Sequence, residues 1–249
     1  MSMQLIKKIL PAFIIILYFF LHFPFLTSDP DTMVDPFMRH AWTDEGLYSS
    51  QIRNYVDHGS FDIQENSTFV RGPLFNIIQY PFFSIFGTNL IVGRLIVLLF
   101  TVFILFLFLH HPKLRNFGFY MLLFALLEYH IFQFTHYSMA ELMCIDFILL
   151  GLYFLFLSRQ YEHVKKKNLM IFLSTFFMFC SYCTKVQFLY VGAIVPATLF
   201  FLSLNTSLYK KNVEIKNFYP FFWSMAFSAF FAGLYYFAWF LPNKDFYIS

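Results

Sequence analysis

Apolar runs long enough to cross a bilayer constrain this chain more than any other feature. A membrane helix needs roughly 20 predominantly apolar residues. Residues 90–109 form one such run, with Arg94 near its start, and further runs lie at 9–26, 117–134, 139–157, 169–183, 186–204 and 218–241, of which 169–183 and 186–204 also read as one broken helix. They predict an all-α, polytopic transmembrane helical bundle of about seven spans. Composition agrees, since charged residues make up 12% of the chain where a soluble domain carries about 25%. The forty Phe residues suit lipid-facing helices, although an AT-rich genome would produce the same excess. The mild basic balance gives no reason to expect a nucleic-acid partner, and its distribution between the runs matters more.

Lys7 and Lys8 precede the first run, which is interrupted by Pro11 and Pro24. A signal peptide would start this way, but Leu26-Thr27-Ser28-Asp29 lacks a small-x-small cleavage site. The run reads as an uncleaved first membrane helix. Residues 29–72 then form one long polar loop, rich in Asp and Glu, which carries Asp44 and Glu45. Within it, Leu47, Ile52, Tyr55 and Val56 give a partial apolar face to a short helix over 45–58, with Gly59 as its stop. Residues 74–86 are apolar but short and broken by Pro81, which suits an interfacial or re-entrant helix.

Lys and Arg set the orientation. With the N-terminus in the cytoplasm, the cytoplasmic loops hold Lys7, Lys8, Lys113, Arg115, Arg159, Lys165, Lys166, Lys167, Lys210, Lys211 and Lys216. Those are eleven of the seventeen basic residues, as the positive-inside rule expects. The Asp-Glu loop, the polar knot His136-Tyr137-Ser138 and Lys185 then share the outer face, as an outward-facing active site would require.

Asp44 and Glu45 are adjacent, so they point in different directions and cannot act as a matched pair on one bond. One could act while the other orients a base, binds a cation or caps a helix. The alternative is purely local: Thr43 or Asp44 as the N-cap of the helix that follows. Glu128, Glu141 and Asp146 fall in or beside apolar runs, where carboxylates are rare and face a cavity or a partner. Cys180 and Cys183 form a Cys-x-x-Cys pair, but no second pair or nearby His completes a zinc set. With Cys144 they read as buried, inert thiols.

The order of these motifs resembles a known family. Asp44-Glu45-Gly46-x-Tyr48 follows a first membrane helix. Gly59, Arg71-Gly72-Pro73-Leu74, Phe86-Gly87 and Gly93-Arg94-Leu95 come after it. This is similar to the N-terminal half of the GT-C membrane glycosyltransferases, in particular the group with dolichyl-phosphate-mannose protein mannosyltransferases and bacterial aminoarabinose transferases. Thr184-Lys185 with Pro196 resembles the family's Thr-Lys-Gly…Pro segment, with Val186 in place of Gly. Ser138-Met139-Ala140-Glu141 resembles a segment where many members carry Arg with Glu, and the Arg is absent here. The resemblance covers nearly the whole of 1–249. Such enzymes usually have more membrane helices and often a C-terminal soluble domain, so it implies a domain incomplete at its C-terminus.

The resemblance implies a polyprenyl-phosphate-linked sugar as donor and a lipid, glycan or protein hydroxyl as acceptor. Asp44 would be the base and Glu45 its support. Arg71, Arg94 and Lys185 would meet the donor phosphate, with Tyr48, Glu141 and His136 as supporting residues. For the three cations, anchoring to headgroups or snorkelling is the local alternative. No cofactor is required by this chemistry, a divalent cation at Glu45 being the one candidate, and no metal-ligand set is expected. The implied location is a bacterial inner membrane, in contact with membrane lipids.

Overall fold

A computed structural model describes residues 3–27, 43–60, 72–209 and 214–245, with the backbone alone for residues 3–9, Thr43, Asp44, Gly46 and Leu47. It is helical throughout, with no strand among the described residues. The chain divides into two compact units, one taking in the described residues up to Met143 except Gly72, the other running from Cys144.

The first unit opens with α1 (Met3–His22), which tightens into a 3₁₀ turn at Phe23–Leu26. It continues with α2 (Thr43–His58), α3 (Pro73–Phe86), α4 (Leu90–His110), α5 (Arg115–Leu127) and α6 (Tyr129–Thr135). Local chemistry sets the ends. Gly59, at φ 70°, stops α2 where the sequence predicts, its N–H bonding to the Tyr55 carbonyl at 2.9 Å. Gly87, at φ 86°, ends α3 in the same left-handed conformation, which glycine adopts without steric cost. The Asn89 side chain then caps α4 by accepting from the Val92 N–H at 3.0 Å.

Glu128 accounts for the break between α5 and α6, which meet at 90°. Its backbone is extended, and its carboxylate accepts from the Ile131 N–H at 2.7 Å, capping the new helix. A carboxylate inside an apolar run is thus used to restart a helix in a new direction.

The core of this unit gathers Ile15, Tyr18, Leu26, Leu98, Leu105, Leu109, Leu122 and Ala125. Lipid tails are as apolar as Leu, so burying such residues gives little preference for one neighbour over another within a membrane. Close backbone approach and buried hydrogen bonds discriminate better. Gly118 allows the first: a Cβ there would lie 2.8 Å from the Leu109 nitrogen. Tyr18 provides the second, donating to the Thr135 hydroxyl at 3.2 Å.

The second unit contains α7 (Ala140–Ser158) from Cys144 onward, α8 (Val164–Thr184), a 3₁₀ stretch at Val186–Ala193 that leads into α9 (Ile194–Tyr209), a 3₁₀ turn at Ile215–Phe218, and α10 (Tyr219–Tyr235). A π turn at Tyr236–Phe240 and a 3₁₀ turn at Leu241–Asn243 extend α10. Its core holds Leu155, Ile171, Met178, Val191, Val195 and Leu199. Ser174 donates to the Gly151 carbonyl at 2.7 Å, joining α8 to α7 where Gly151 permits contact with Met178. Cys144, Cys180 and Cys183 are buried and form no disulfide among the described residues, and the Cys144 thiol donates to the Ser181 carbonyl at 3.2 Å.

Among the described residues, four stretches are long and apolar enough to cross a membrane: Leu90–His110, Ala140–Ser158, Val186–Tyr209 and Ile215–Asn243. The bent pair Arg115–Leu127 and Tyr129–Thr135 makes a fifth if it counts as one span. The large exposed side chains fit a lipid-facing exterior, with Leu127 80%, Phe237 69% and Phe201 65% exposed. The chain is therefore a helical protein with four to five candidate spans, which marks it as an integral membrane protein. The sequence reading of about seven included α1 and α8. Lys7 and Lys8 occupy the early turns of α1, leaving the shorter apolar stretch Leu10–Leu26. Lys165, Lys166 and Lys167 similarly occupy the first turn of α8. Of the loop over 29–72, the described residues contain α2; residues 28–42 and 61–71 lie outside them.

Candidate functional site

Three sequence-distant segments of the first unit meet at the Glu45 carboxylate. Glu45 sits in the first turn of α2 and Arg94 in the second turn of α4. The Arg94 guanidinium donates through Nε to Glu45 Oε1 at 3.0 Å and through Nη2 to Oε2 at 2.8 Å. This is the bidentate geometry in which arginine binds a carboxylate most firmly. Both side chains are fully buried. The Ser138 backbone N–H, in the knot after α6, adds a third bond to Oε1 at 2.6 Å.

The same arginine ties down the end of the first helix. Its Nη1 donates to the carbonyls of Phe25 at 3.2 Å and Leu26 at 3.0 Å. These carbonyls belong to the 3₁₀ turn, where a helix end leaves acceptors without intrahelical partners. The guanidinium also lies over the Tyr137 ring, 5.1 Å from its centroid, a cation–π distance. One side chain thus holds the exit of α1, the start of α2 and the knot in one arrangement. Removing either partner of such a buried pair typically costs about 3–5 kcal/mol, because the other charge is left stranded.

Around this pair lies a further polar layer. Gln79 of α3 donates through Nε2 to the Ser138 hydroxyl at 2.8 Å. Gly93 makes room for that contact, since a Cβ there would fall 2.9 Å from Ser138 Oγ. Asn76 and Gln79 are three residues apart on one face of α3, and both are buried. Among the described residues, their Oδ1 and Oε1 atoms have no hydrogen-bond partner. Tyr48 donates its hydroxyl to Glu141 Oε1 at 3.0 Å, joining α2 to the start of α7.

His136 lies against His22, with the two Nδ1 atoms 3.0 Å apart. One imidazole must donate and the other accept, so at least one nitrogen of the pair is unprotonated. Phe25 stacks on the His136 ring at 5.1 Å. Burial first, and then the nearby Arg94 charge, push His136 down to about 4. His136 is therefore neutral at pH 7 and accommodates the Arg94 cation without a second positive charge beside it.

The residues expected to act together are brought together in part. Glu45, Arg94, Tyr48, Glu141 and His136 all belong to the first unit and join through the contacts above. Arg94 meets a carboxylate here, where the sequence reading gave it a phosphate. Lys185 belongs to the second unit, in extended backbone between α8 and the 3₁₀ stretch, and is half-buried. Asp44 is the second residue of α2, but its side chain lies outside the described residues, as does Arg71 entirely. Asp146 is buried on α7 in the second unit.

The sequence reading passed over three contributors: Ser138 as a backbone donor, Gln79 and His22. Gln79 carried a usable signal, as an amide within a short apolar run. A backbone N–H carries none, because every residue but proline has one.

The second unit holds an apolar cavity of about 570 Å³, lined among others by Phe179, Tyr182, Pro196, Phe200, Met225 and Phe231. Among the described residues, no group of three or more His, Cys, Asp and Glu could hold a metal ion. No family model, curated protein or solved structure matches the chain.

Proposed function

We propose that this chain is a membrane glycosyltransferase of GT-C type that moves a sugar from a polyprenyl-phosphate donor to an acceptor hydroxyl on the outer face of the membrane. The observation that carries this reading is the convergence on Glu45. The Asp-Glu segment, Gly93-Arg94 and the Ser138–Glu141 segment were singled out as separate motifs, and they meet within the first unit, Glu45 bonding Arg94 and the Ser138 N–H in a buried cluster and Tyr48 bonding Glu141 beside it. A network of this kind holds the first turn of α2 rigidly, as a base beside it would require.

In this mechanism Asp44 takes the proton of the acceptor hydroxyl as its oxygen attacks the anomeric carbon. The bond to the donor phosphate breaks, its electron pair leaves with the polyprenyl phosphate, and configuration inverts. Glu45 and Arg94 position the helix that carries Asp44. Arg71 and Lys185 remain to meet the phosphate, because an arginine already committed to a carboxylate and two carbonyls is poorly placed to release them. We further assign α1 and α8 as spans, for about seven in all, with the N-terminus cytoplasmic, the 29–72 loop outside, and a bacterial inner membrane as the setting.

Transfer from a labelled polyprenyl-phosphate sugar by the purified protein tests this. Asn caps a helix as well as Asp does, so Asp44→Asn separates base from cap. It should lower turnover by about 10²–10⁴-fold while donor binding and membrane levels hold. Near-wild-type turnover of that variant would end the catalytic assignment.

A second reading, a non-catalytic membrane protein of the same fold that binds a lipid carrier or assists assembly, draws on the same pair. Both Glu45 oxygens accept from buried donors, as in a purely structural clamp. Donor binding without any transfer by the wild-type protein would favour it.

A further inference from the structure

The second unit holds a polar cavity of about 350 Å³ where the ends of its helices come together. Arg159 after α7, Lys167 in the first turn of α8 and Lys216 in the 3₁₀ turn before α10 all line it. Ser203 and Thr206 of α9 add hydroxyls, and Trp223 of α10 closes one wall. No carboxylate is in the lining. Glu214 stands just outside it and pairs with Lys216, so Arg159 and Lys167 dominate the charge of the cavity.

The cations lining this cavity repel one another. Lys167 lies near the N-terminus of α8, where the helix dipole is itself positive. The N-cap of that helix, His163, makes no side-chain capping bond. The start of α8 and the side chains of Arg159 and Lys167 thus face one polar cavity, and an anion would offset their charge.

Its surroundings indicate which anion. Tyr219 and Trp223 are exposed, and aromatic residues of this kind sit at the headgroup level of a membrane. Phe222 beside them and Phe201 farther up α9 are 53% and 65% exposed, giving apolar surface for acyl chains. We propose that this cavity binds the phosphate-bearing headgroup of an anionic phospholipid. Basic pockets between membrane helices recognise such lipids through the same chemistry. The site is independent of the Glu45 network, and its occupation does not depend on any transferase activity.

The test is native mass spectrometry of the purified full chain in neutral detergent, with phosphatidylglycerol and phosphatidylcholine supplied in equal amounts. Wild type should retain phosphatidylglycerol in preference by about tenfold or more. Arg159→Gln with Lys167→Gln should abolish that preference. Lys165→Gln with Lys166→Gln removes the same charge from the same helix end outside the cavity, and should leave the preference intact. If the first double variant does not purify folded, Arg159→Gln alone, at an exposed position, should still reduce the preference. A preference that survives loss of Arg159 and Lys167, or falls equally in the control, would overturn the site. Glycerol 3-phosphate, added in excess, distinguishes the sources of phosphate. It should leave phosphatidylglycerol bound, and its displacement of the lipid would mark the cavity as a site for a soluble phosphate compound instead.

Discussion

Glu45 and Arg94 lie 49 residues apart and are joined by two hydrogen bonds of 3.0 and 2.8 Å with no solvent exposure. Such a pair gives modest net stability against an apolar replacement but is costly to break from one side. Glu45→Gln should therefore lower stability less than Arg94→Gln. The amide still accepts from the guanidinium, whereas loss of arginine leaves a buried carboxylate with the Ser138 N–H alone. Arg94→Gln should cost about 3–5 kcal/mol, read by thermal unfolding in detergent. Replacing both residues with Met should recover part of that loss. A double variant as unstable as the sum of the single ones would show that the two side chains act independently.

Among the elements, α4 and α5 illustrate how packing is chosen when every surface is greasy. A Cβ at Gly118 would fall 2.8 Å from the Leu109 nitrogen and 2.9 Å from the Phe108 carbonyl carbon. Both atoms are backbone, so no rotamer change can relieve the contact. Gly118→Ala would normally favour a helix, yet here it should destabilise the protein by about 1–3 kcal/mol through overpacking. Gly233→Ala is the matched control, since nothing lies within 4 Å of its added Cβ. Thermal unfolding of the two variants should move in opposite directions or leave Gly233→Ala unchanged. Equal loss in both would mean that the close approach of α4 and α5 is not what Gly118 serves.

For the whole molecule, the division of Lys and Arg between loops carries the orientation. Single cysteines at Ser67 and at Lys166, in a background without Cys144, Cys180 and Cys183, should react with impermeant thiol reagents from opposite sides of the membrane. Position 67 should label from outside and position 166 from the cytoplasm. Labelling of position 67 from the cytoplasmic side would reverse the orientation and with it the outward-facing chemistry. Labelling of both positions from one side would remove one of the intervening spans.

The sequence by itself determined the helical membrane class, because apolar runs of spanning length leave few other ways to satisfy backbone polar groups. It also determined several local features. Gly59 stops α2 because it can adopt positive φ, and the cysteines are buried because they sit within apolar runs. The number of spans was less legible, since Lys165, Lys166 and Lys167 shorten α8 at its charged end, and run length alone does not decide such cases. Only the tertiary structure decided the partner of Arg94. A cation near the start of an apolar helix suits a lipid headgroup, a phosphate or a distant carboxylate equally well, and charge carries no address in sequence. The choice fell to Glu45 because the first turn of α2, Arg94 of α4 and the Ser138 N–H converge on its carboxylate, with Gly93 leaving room for Ser138 and Gln79 beside α4. Convergence of that kind depends on helix geometry over many residues, and it turned isolated motifs into one buried network.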